Sequence, residues 1–462
     1  MWRRISLFTF YQATSNQQPA TSNYEWLAFL GLVAILASVV IPNSTIGVSA
    51  LIHQLVAVFG TVLLIHIHSF RQTFVSRILS WKLLVGIGLI SYPLYLWRWP
   101  LFSLRSYWLS PDVIPWYEIL FLLVLCFLLS YLTWRWVEKP ARRLSIRPSK
   151  SLINWIIATQ LVLLVVGVSL WISKGVVWRF SSETITYSDG AMDINPLRSC
   201  HGNPILHNAP LSVEKCTFGS SLSTHPEFIV WGSSHADAIT PVFKELADKY
   251  ALPGLQASLS GSPFLLDVSR GGSYLLRNKN WHEYNKNVLG LLEDLSIKNV
   301  FLVGRWTSYV YGSTTYEGYL PSNLKSNKTN DPRLAFEYGL EKAVAKLVAK
   351  NKRVWLVLPV PEMDRTVPRW LTFHNAGKTE VWMDNPYPER ATSLRPFFER
   401  LSQQYGVHLL DPLPHLCRAD GKCRIAHNGK SVYSDDDHLS ASGSLLLADM
   451  LRPAFEIMKQ DK

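Results

Sequence analysis

A string of uncharged apolar segments in the first third of the chain limits most severely what it can fold into. From Trp26 to Phe70 there is no Asp, Glu, Lys or Arg, and the run breaks only at Ile41-Pro42-Asn43-Ser44. A helix of about 20 apolar residues matches the roughly 30 Å hydrocarbon layer of a bilayer. Spanning helices are therefore expected over about 26–42 and 46–66. A third runs from Leu83 past Arg98, whose long side chain can snorkel, to about Leu104. A fourth covers Ile119–Trp134 and a fifth Leu152–Ser173. These segments are several, long and not confined to the N-terminus, unlike a cleaved signal peptide.

Charge gives these segments an orientation. The 462 residues hold 46 Lys and Arg against 34 Asp and Glu, a net charge of +12. Residues 1–174 contain 14 of the bases and 4 of the acids, so nearly all of the excess flanks the apolar runs. That placement argues against nucleic acid, which would want a basic polar face. The connection 67–82 carries Arg71, Arg77 and Lys82, and 135–151 carries Arg135, Lys139, Arg142, Arg143, Arg147 and Lys150. The connections near 43 and over 105–117 hold only Arg105. By the positive-inside rule the N-terminus is expected inside, in the cytoplasm, and everything after Lys174 outside.

The cysteines divide the same way. Cys126 lies inside an apolar run and reads as a small core residue. Cys200 with Cys216, and Cys417 with Cys423, form two local pairs in the polar half. Short-loop disulfides there fit an oxidising compartment; reduced loop thiols are the alternative. No His or further Cys stands beside them at zinc spacing, so no metal is expected.

Residues 175–225 show little periodicity and read as an extracytoplasmic linking segment. A folded domain is expected over 226–462. Strands are expected at Phe228–Trp231, Asn299–Val303, Arg353–Leu358 and Val407–Leu410. Helices are expected at 235–249, 284–294, 332–350, 393–404 and 440–458. Strand–helix alternation predicts a parallel α/β sandwich with its functional loops at the carboxyl ends of the strands.

Two segments could carry chemistry. In Phe-Ile-Val-Trp-Gly-Ser-Ser-His-Ala, 228–236, an apolar strand meets a Gly, serines and a helix start. There the helix dipole and free N–H groups favour a developing negative charge, although serines also open helices as ordinary caps. In Tyr-Ser-Asp-Asp-Asp-His-Leu-Ser, 433–440, Asp435 and His438 can supply a base and its orienting carboxylate. Acidic runs also bind calcium, but this one lacks the spaced ligands and Gly of an EF-hand loop.

Gly232-Ser233-Ser234-His235-Ala236 resembles the Gly-Asp-Ser-His block of SGNH hydrolases, and Asp435-Asp436-Asp437-His438 resembles their closing Asp-x-x-His block. Upstream, Ser91-Tyr92-Pro93-Leu94-Tyr95-Leu96-Trp97-Arg98-Trp99-Pro100 and Trp136-Val137-Glu138-Lys139-Pro140 resemble the last part of acyltransferase-3 membrane proteins, which occur fused to SGNH domains in bacterial O-acetyltransferases. The resemblance implies an α-helical membrane domain of about five spans over 1–174, truncated relative to the family. It also implies a three-layer, flavodoxin-like α/β SGNH domain over 226–462. Ser234 becomes the nucleophile, His438 the base and Asp435 its carboxylate. Ser233 stands where Asp is usual and competes as nucleophile. Gly304-Arg305-Trp306 replaces the usual Gly-x-Asn-Asp block. Oxyanion donors would be the N–H groups of Ser234 and Gly261, Gly261 reading equally as a turn glycine. Gly304, Arg305 and Trp306 are expected beside an acceptor sugar, with Trp306 offering a stacking face, the alternative being that Arg305 and Trp306 simply pack.

The implied activity is O-acylation, most simply acetylation, of a surface glycan such as lipopolysaccharide O-antigen. No cofactor stays bound, and acetyl-CoA is the expected acyl donor. The expected partners are the bilayer, a polysaccharide or lipid-linked glycan, and a separate chain supplying the early membrane helices, where the family's proposed catalytic His lies. His66 and His68, near a helix end, read as interfacial. The alternatives are a membrane-tethered carbohydrate esterase and a non-catalytic glycan-binding fragment.

Overall fold

The computed structural model describes residues 22–40, 50–108, 114–142, 150–202, 212–219, 225–262, 264–270, 275–315, 318–320, 322–374 and 377–461. The chain divides into one compact unit of 1–109 with 114–149, and another of 110–113 with 150–462. The break at Ile41-Pro42-Asn43-Ser44 and much of the loops over 105–117 and 135–151 lie outside the described residues.

Helices stand where the apolar runs predict them. They are α1 (Ser22–Val40), α2 (Ala50–Phe70), α3 (Lys82–Trp108) and α4 (Trp116–Thr133), with α5 (Lys150–Ile172) at the start of the second unit. Among the described residues two stretches, Trp116–Ala141 and Ile153–Ile172, are long and apolar enough to cross a membrane. The apolar stretches of α1 and α2, Asn23–Val39 and Gln54–Phe70, are shorter, and α3 contains Pro93, Arg98 and Pro100. Gly31 and Gly60 let α1 and α2 approach closely: a Cβ on Gly60 would stand 2.8 Å from the Gly31 carbonyl oxygen. Cys126 is buried on α4, its Sγ 3.6 Å from the Leu94 carbonyl oxygen of α3.

The second unit is built on a seven-stranded sheet. Its strands are β1 (His201–Gly202), β2 (Thr217–Phe218), β3 (Phe228–Gly232), β4 (Gly254–Leu259), β5 (Asn299–Val303), β6 (Arg353–Val357) and β7 (His408–Leu410). The order is β1-β4-β3-β5-β6-β7, all parallel, while β2 pairs antiparallel with the start of β4. Side chains alternate between the faces, as pleating requires. Phe228, Val230, Phe301 and Val303 pack with α6 (Ser234–Tyr250) and the C-terminal α7 (Ala448–Gln460). Ile229, Trp231, Val300 and Leu302 pack with the helices Leu275–Asp294, Pro332–Ala349 and Arg395–Tyr405. Helices therefore cover both faces of a parallel sheet.

The structure corrects two sequence expectations. β4 was absent from the expected strands because Gly-Leu-Gln-Ala-Ser-Leu shows neither an unbroken apolar run nor branched residues, yet all six residues are buried. Gln256 and Ser258 are tolerated because they are bonded. Gln256 donates to Asp237 (2.9 Å) and Ser258 (2.9 Å), and accepts from Asn195 (3.0 Å). The segment 175–225 is not a mere linker. It supplies β1, β2 and the buried Tyr187, and Asp193 accepts the N–H groups of Ala441 (2.7 Å) and Ser442 (3.0 Å). The disulfide Cys200–Cys216 ties the approaches to β1 and β2 together, and Cys417–Cys423 closes a loop after β7.

Gly232 is fixed by contact rather than by conformation, since a Cβ there would stand 1.6 Å from the Val303 carbonyl oxygen. Gly232→Ala is expected to destabilise the chain by more than about 3 kcal/mol in thermal unfolding. Gly290→Ala, at an exposed helical position where a Cβ meets nothing within 4 Å, should be neutral or stabilising by up to about 1 kcal/mol. Replacing Cys200 and Cys216 by Ser should cost about 3 kcal/mol, given 16 residues of separation.

Candidate active site

The turn from β3 into α6 places two serines at the carboxyl edge of the sheet. The Ser233 N–H donates to the Val303 carbonyl (3.1 Å), which extends the β3–β5 ladder one residue past Gly232. Ser233 is 1 % exposed, and its Oγ accepts from the N–H groups of His235 and Arg305, each at 3.3 Å. It is the N-cap of α6 and is not free to compete as a nucleophile, contrary to the expectation drawn from the motif. Ser234 is the first residue of the helix and is half-buried. The first N–H groups of a helix have no intrahelical acceptor, so an anion at Ser234 faces both donors and the dipole.

The loop after residue 432 comes to this turn from the far end of the chain. It is closed by a bridge between Tyr433 and Leu439 and by the Ser440 N–H donating to Val432 (2.9 Å). Gly443 seals the closure, because a Cβ there would lie 1.9 Å from the Val432 carbonyl oxygen. Inside the loop, Asp435 Oδ1 accepts from the N–H groups of Asp437 (2.9 Å) and His438 (2.7 Å). The neighbouring segment after β6 holds the loop from outside, with Met363 N–H on the Asp436 carbonyl (2.7 Å) and Val367 N–H on that of Asp435 (3.0 Å). The result is a file of polar atoms. Ser234 Oγ is 2.8 Å from His438 Nε2, and His438 Nδ1 is 2.7 Å from Asp435 Oδ2.

Several residues at this site went unnoticed in the sequence. Asp437, only 2 % exposed, places Oδ1 2.8 Å from His438 Nδ1, and its Oδ2 lies 2.5 Å from Arg305 Nη1 and 3.5 Å from His235 Nε2. Buried Glu362 receives Arg305 Nη2 (3.0 Å), Arg390 Nη1 (3.1 Å) and the Thr307 hydroxyl. Glu362 lies just past the carboxyl end of β6, where functional loops of a parallel sheet gather, and that position was its one sequence signal. The donor atoms of His235, Asp437 and His438 lie within 4.8 Å of one another, as do those of Asp435, Asp436 and Asp437. The Arg305 guanidinium already sits on Asp437, so this carboxylate has a cation supplied by the chain itself.

The expected substrate-binding residues fare differently. Gly261 is exposed, with φ +63°, in the turn after β4; Ser258, three residues earlier, pairs with Gly232, which places the turn at the same sheet edge as Ser234. Gly304 lies beneath the Trp306 ring, where a Cβ would come within 3.1 Å. Trp306 is 1 % exposed and donates to the Val357 carbonyl (2.7 Å). It is a core side chain and offers no stacking face to a sugar, which corrects that expectation. Arg305 is anchored to Asp437 and Glu362 instead of pointing into open space.

Charge balance follows from these contacts. Burial alone would lower the His438 pKa, but the Asp437 charge and the hydrogen bonds that His438 donates to Asp435 and Asp437 outweigh it and raise it. Burial pushes Asp437 up, and His438, His235 and Arg305 together hold it well below the carboxylate range. Glu362 is likewise pushed up by burial and brought below its usual value by Arg305 and Thr307. Burial and the adjacent Asp437 and Asp435 raise Asp436 to about 7. Because Glu362 has a depressed pKa, its stabilisation is present above the ordinary carboxylate value and is lost as pH falls through the folded one. Glu362→Ala should cost about 3–5 kcal/mol in urea unfolding at neutral pH, since Arg390 and part of Arg305 lose their carboxylate. Glu362→Gln should also flatten the loss of stability on acidification below about pH 4.

The family model described as the SGNH domain fused to AT3 domains matches residues 199–453. The periplasmic domain of a lipopolysaccharide acetyltransferase from Salmonella ser. Paratyphi A aligns over 60% of this chain and 97% of that chain, at 16% identity and a TM-score of 0.42. No curated protein sequence matches the chain. The matched stretch takes in β1, the serine turn, Arg305, Glu362 and the whole His438 loop, and covers more than half of the protein: the chain belongs to the family of SGNH domains fused to AT3 domains.

Proposed function

We propose that the protein is an O-acyltransferase that passes an acyl group, most simply acetyl, through an ester on Ser234 to a hydroxyl of a cell-surface glycan. The observation that carries this is the 2.8 Å contact between Ser234 Oγ and His438 Nε2, made across 204 residues of sequence at a helix N-terminus. A serine hydroxyl is a weak nucleophile until a base within hydrogen-bond reach takes its proton. Here His438 Nε2 accepts that proton as Oγ attacks the acyl carbonyl. The oxyanion forms beside the N–H groups of Ser234 and Gly261, and the donor leaves with the proton from His438. In the second half His438 takes the proton of the acceptor hydroxyl, which attacks the acyl-Ser234 ester. Ser234 recovers its proton as the acylated glycan departs.

The membrane helices have their place in this reading as the route of supply. Acetyl-CoA is cytoplasmic, whereas the proposed location of Ser234 is the other side, the periplasm or cell exterior, a reading supported by the two disulfides and the charge pattern. The apolar helices of this chain would take part in carrying acyl groups across. Lipopolysaccharide O-antigen or a related lipid-linked glycan is the proposed acceptor. A membrane-tethered carbohydrate esterase uses the same residues, and the half-buried Ser234 leaves room for water to replace the glycan hydroxyl.

The full chain in detergent should hydrolyse a small activated acetyl ester, and Ser234→Ala should lower the rate by about 10³-fold or more. Undiminished turnover in that variant removes Ser234 from the mechanism. Adding acceptor glycan to the intact membrane protein separates the two activities: acyl transfer in excess of hydrolysis supports the transferase, hydrolysis alone the esterase. The base works only when neutral and the His438 pKa is raised, so kcat/KM should climb with pH through a midpoint above the ordinary imidazole value of about 6.5. A midpoint at or below that value contradicts the role given to the two carboxylates.

A further inference from the structure

We propose that Asp437, and not Asp435 alone, is the carboxylate that orients and charges His438 during acyl transfer, with Asp435 serving mainly to close the turn. This rests on the acyl-Ser234 reading and adds a positioning residue to it. The motif resemblance points to Asp435, but the two carboxylates reach the same ring nitrogen almost equally, Asp435 Oδ2 at 2.7 Å and Asp437 Oδ1 at 2.8 Å.

Their surroundings separate them. The Asp435 side chain is 41% exposed, so water screens its attraction for an imidazolium. The Asp437 side chain is 3% exposed, where the same charge acts through a lower effective dielectric. Asp435 Oδ1 is committed to the backbone N–H groups of Asp437 and His438, a local turn contact. Asp437 Oδ2 is committed to Arg305 Nη1 and lies near His235 Nε2. Arg305 in turn is fixed by Glu362, which also holds Arg390. Asp437 therefore cannot swing away from His438 without breaking a buried ion pair. Asp435 sits on a surface turn and has no such restraint. When Ser234 gives up its proton, the new positive charge on His438 appears beside a carboxylate already oriented to receive it, with no solvent to reorganise.

The titratable groups that act on His438 are Asp435 and Asp437 of its own loop, His235 of α6 and His201 of β1, while Asp436 and Arg305 act on Asp437. Removing the Asp437 charge should lower the His438 pKa and so move the acid limb of the rate profile to lower pH, which a purely structural role would not do.

The test compares Asp435→Asn with Asp437→Asn in the full chain, using a small activated acetyl ester. Asn at 435 keeps an oxygen for the turn contacts, so this variant should fold. Its kcat/KM should fall, but by no more than about tenfold, while Asp437→Asn should fall about 10²-fold or more with its acid limb displaced further to lower pH. Should Asp437→Asn not fold, the low-field NMR resonance of the His438 Nδ1 proton in Asp435→Asn decides: its persistence supports Asp437 as the partner, and its loss overturns the proposal. The proposal is also overturned if Asp435→Asn is as inactive as Ser234→Ala, or if Asp437→Asn stays within threefold with its limb unmoved. A fully active Ser234→Ala would instead sink the acyl-serine reading itself, so the two failures are distinguishable.

Discussion

The close passage of Gly232 against the Val303 carbonyl is the contact on which the site depends. No side chain fits between these strands at that point, so β3 can run flush with β5 to its last residue and turn at once into α6. Ser233 is then drawn into the ladder and spent as a cap, and Ser234 is left as the first helical residue with its hydroxyl at the sheet edge. A wider approach would shift the start of the helix and with it the one hydroxyl that His438 reaches. Gly443 plays the matching part on the other wall, packing the last helical segment against Val432 so that the His438 loop has a fixed base.

Between these walls lies an alternation of charge: Ser234, His438, then Asp435 and Asp437, Arg305, Glu362 and Arg390. Each buried charge has an opposite neighbour, the condition under which burial of ions is tolerable. The array joins three strand ends, because Ser234 follows β3, Arg305 follows β5 and Glu362 follows β6, while His438 comes from the loop before the last helices. Parallel strands make this economical, since all their carboxyl ends open on one edge. Arg305 holds the array together. It reaches across to Asp437 with one nitrogen and to Glu362 with two, a geometry that a planar guanidinium allows and an ammonium does not.

The segment between the last apolar helix and the sheet is more than a tether. Asn195 and Arg198 bond Asp237 at the start of α6, Asp193 receives the N–H groups of Ala441 and Ser442, and a disulfide fixes the approach to β1. Both elements that carry the reacting pair are thus braced by residues 193–200, the stretch that leads into β1. Asp237 is buried, and its carboxylate is balanced by three partners, Arg198 and the amide donors of Asn195 and Gln256.

Much of this protein could be read from its residues alone, where the physics is local. Apolar runs placed the long helices, the bias of Arg and Lys among the connections gave an expected orientation, and short spacing paired the cysteines. A β-to-helix turn ending in Gly-Ser-Ser marked Ser234, and an Asp-x-x-His spacing marked His438. Tertiary structure decided whatever depends on residues far apart in sequence. It buried a polar strand, Gln256 and Ser258 included, because Asn195 and Asp237 arrive to satisfy it. It turned Trp306 inward to bond Val357, although as a sequence letter Trp fits a sugar face equally well. It also brought Arg305, held by Glu362, onto Asp437, the last of three adjacent aspartates that no spacing rule tells apart. Burial, the property that distinguishes Asp437 from Asp435, belongs to the packed fold and not to the string Asp-Asp-Asp-His.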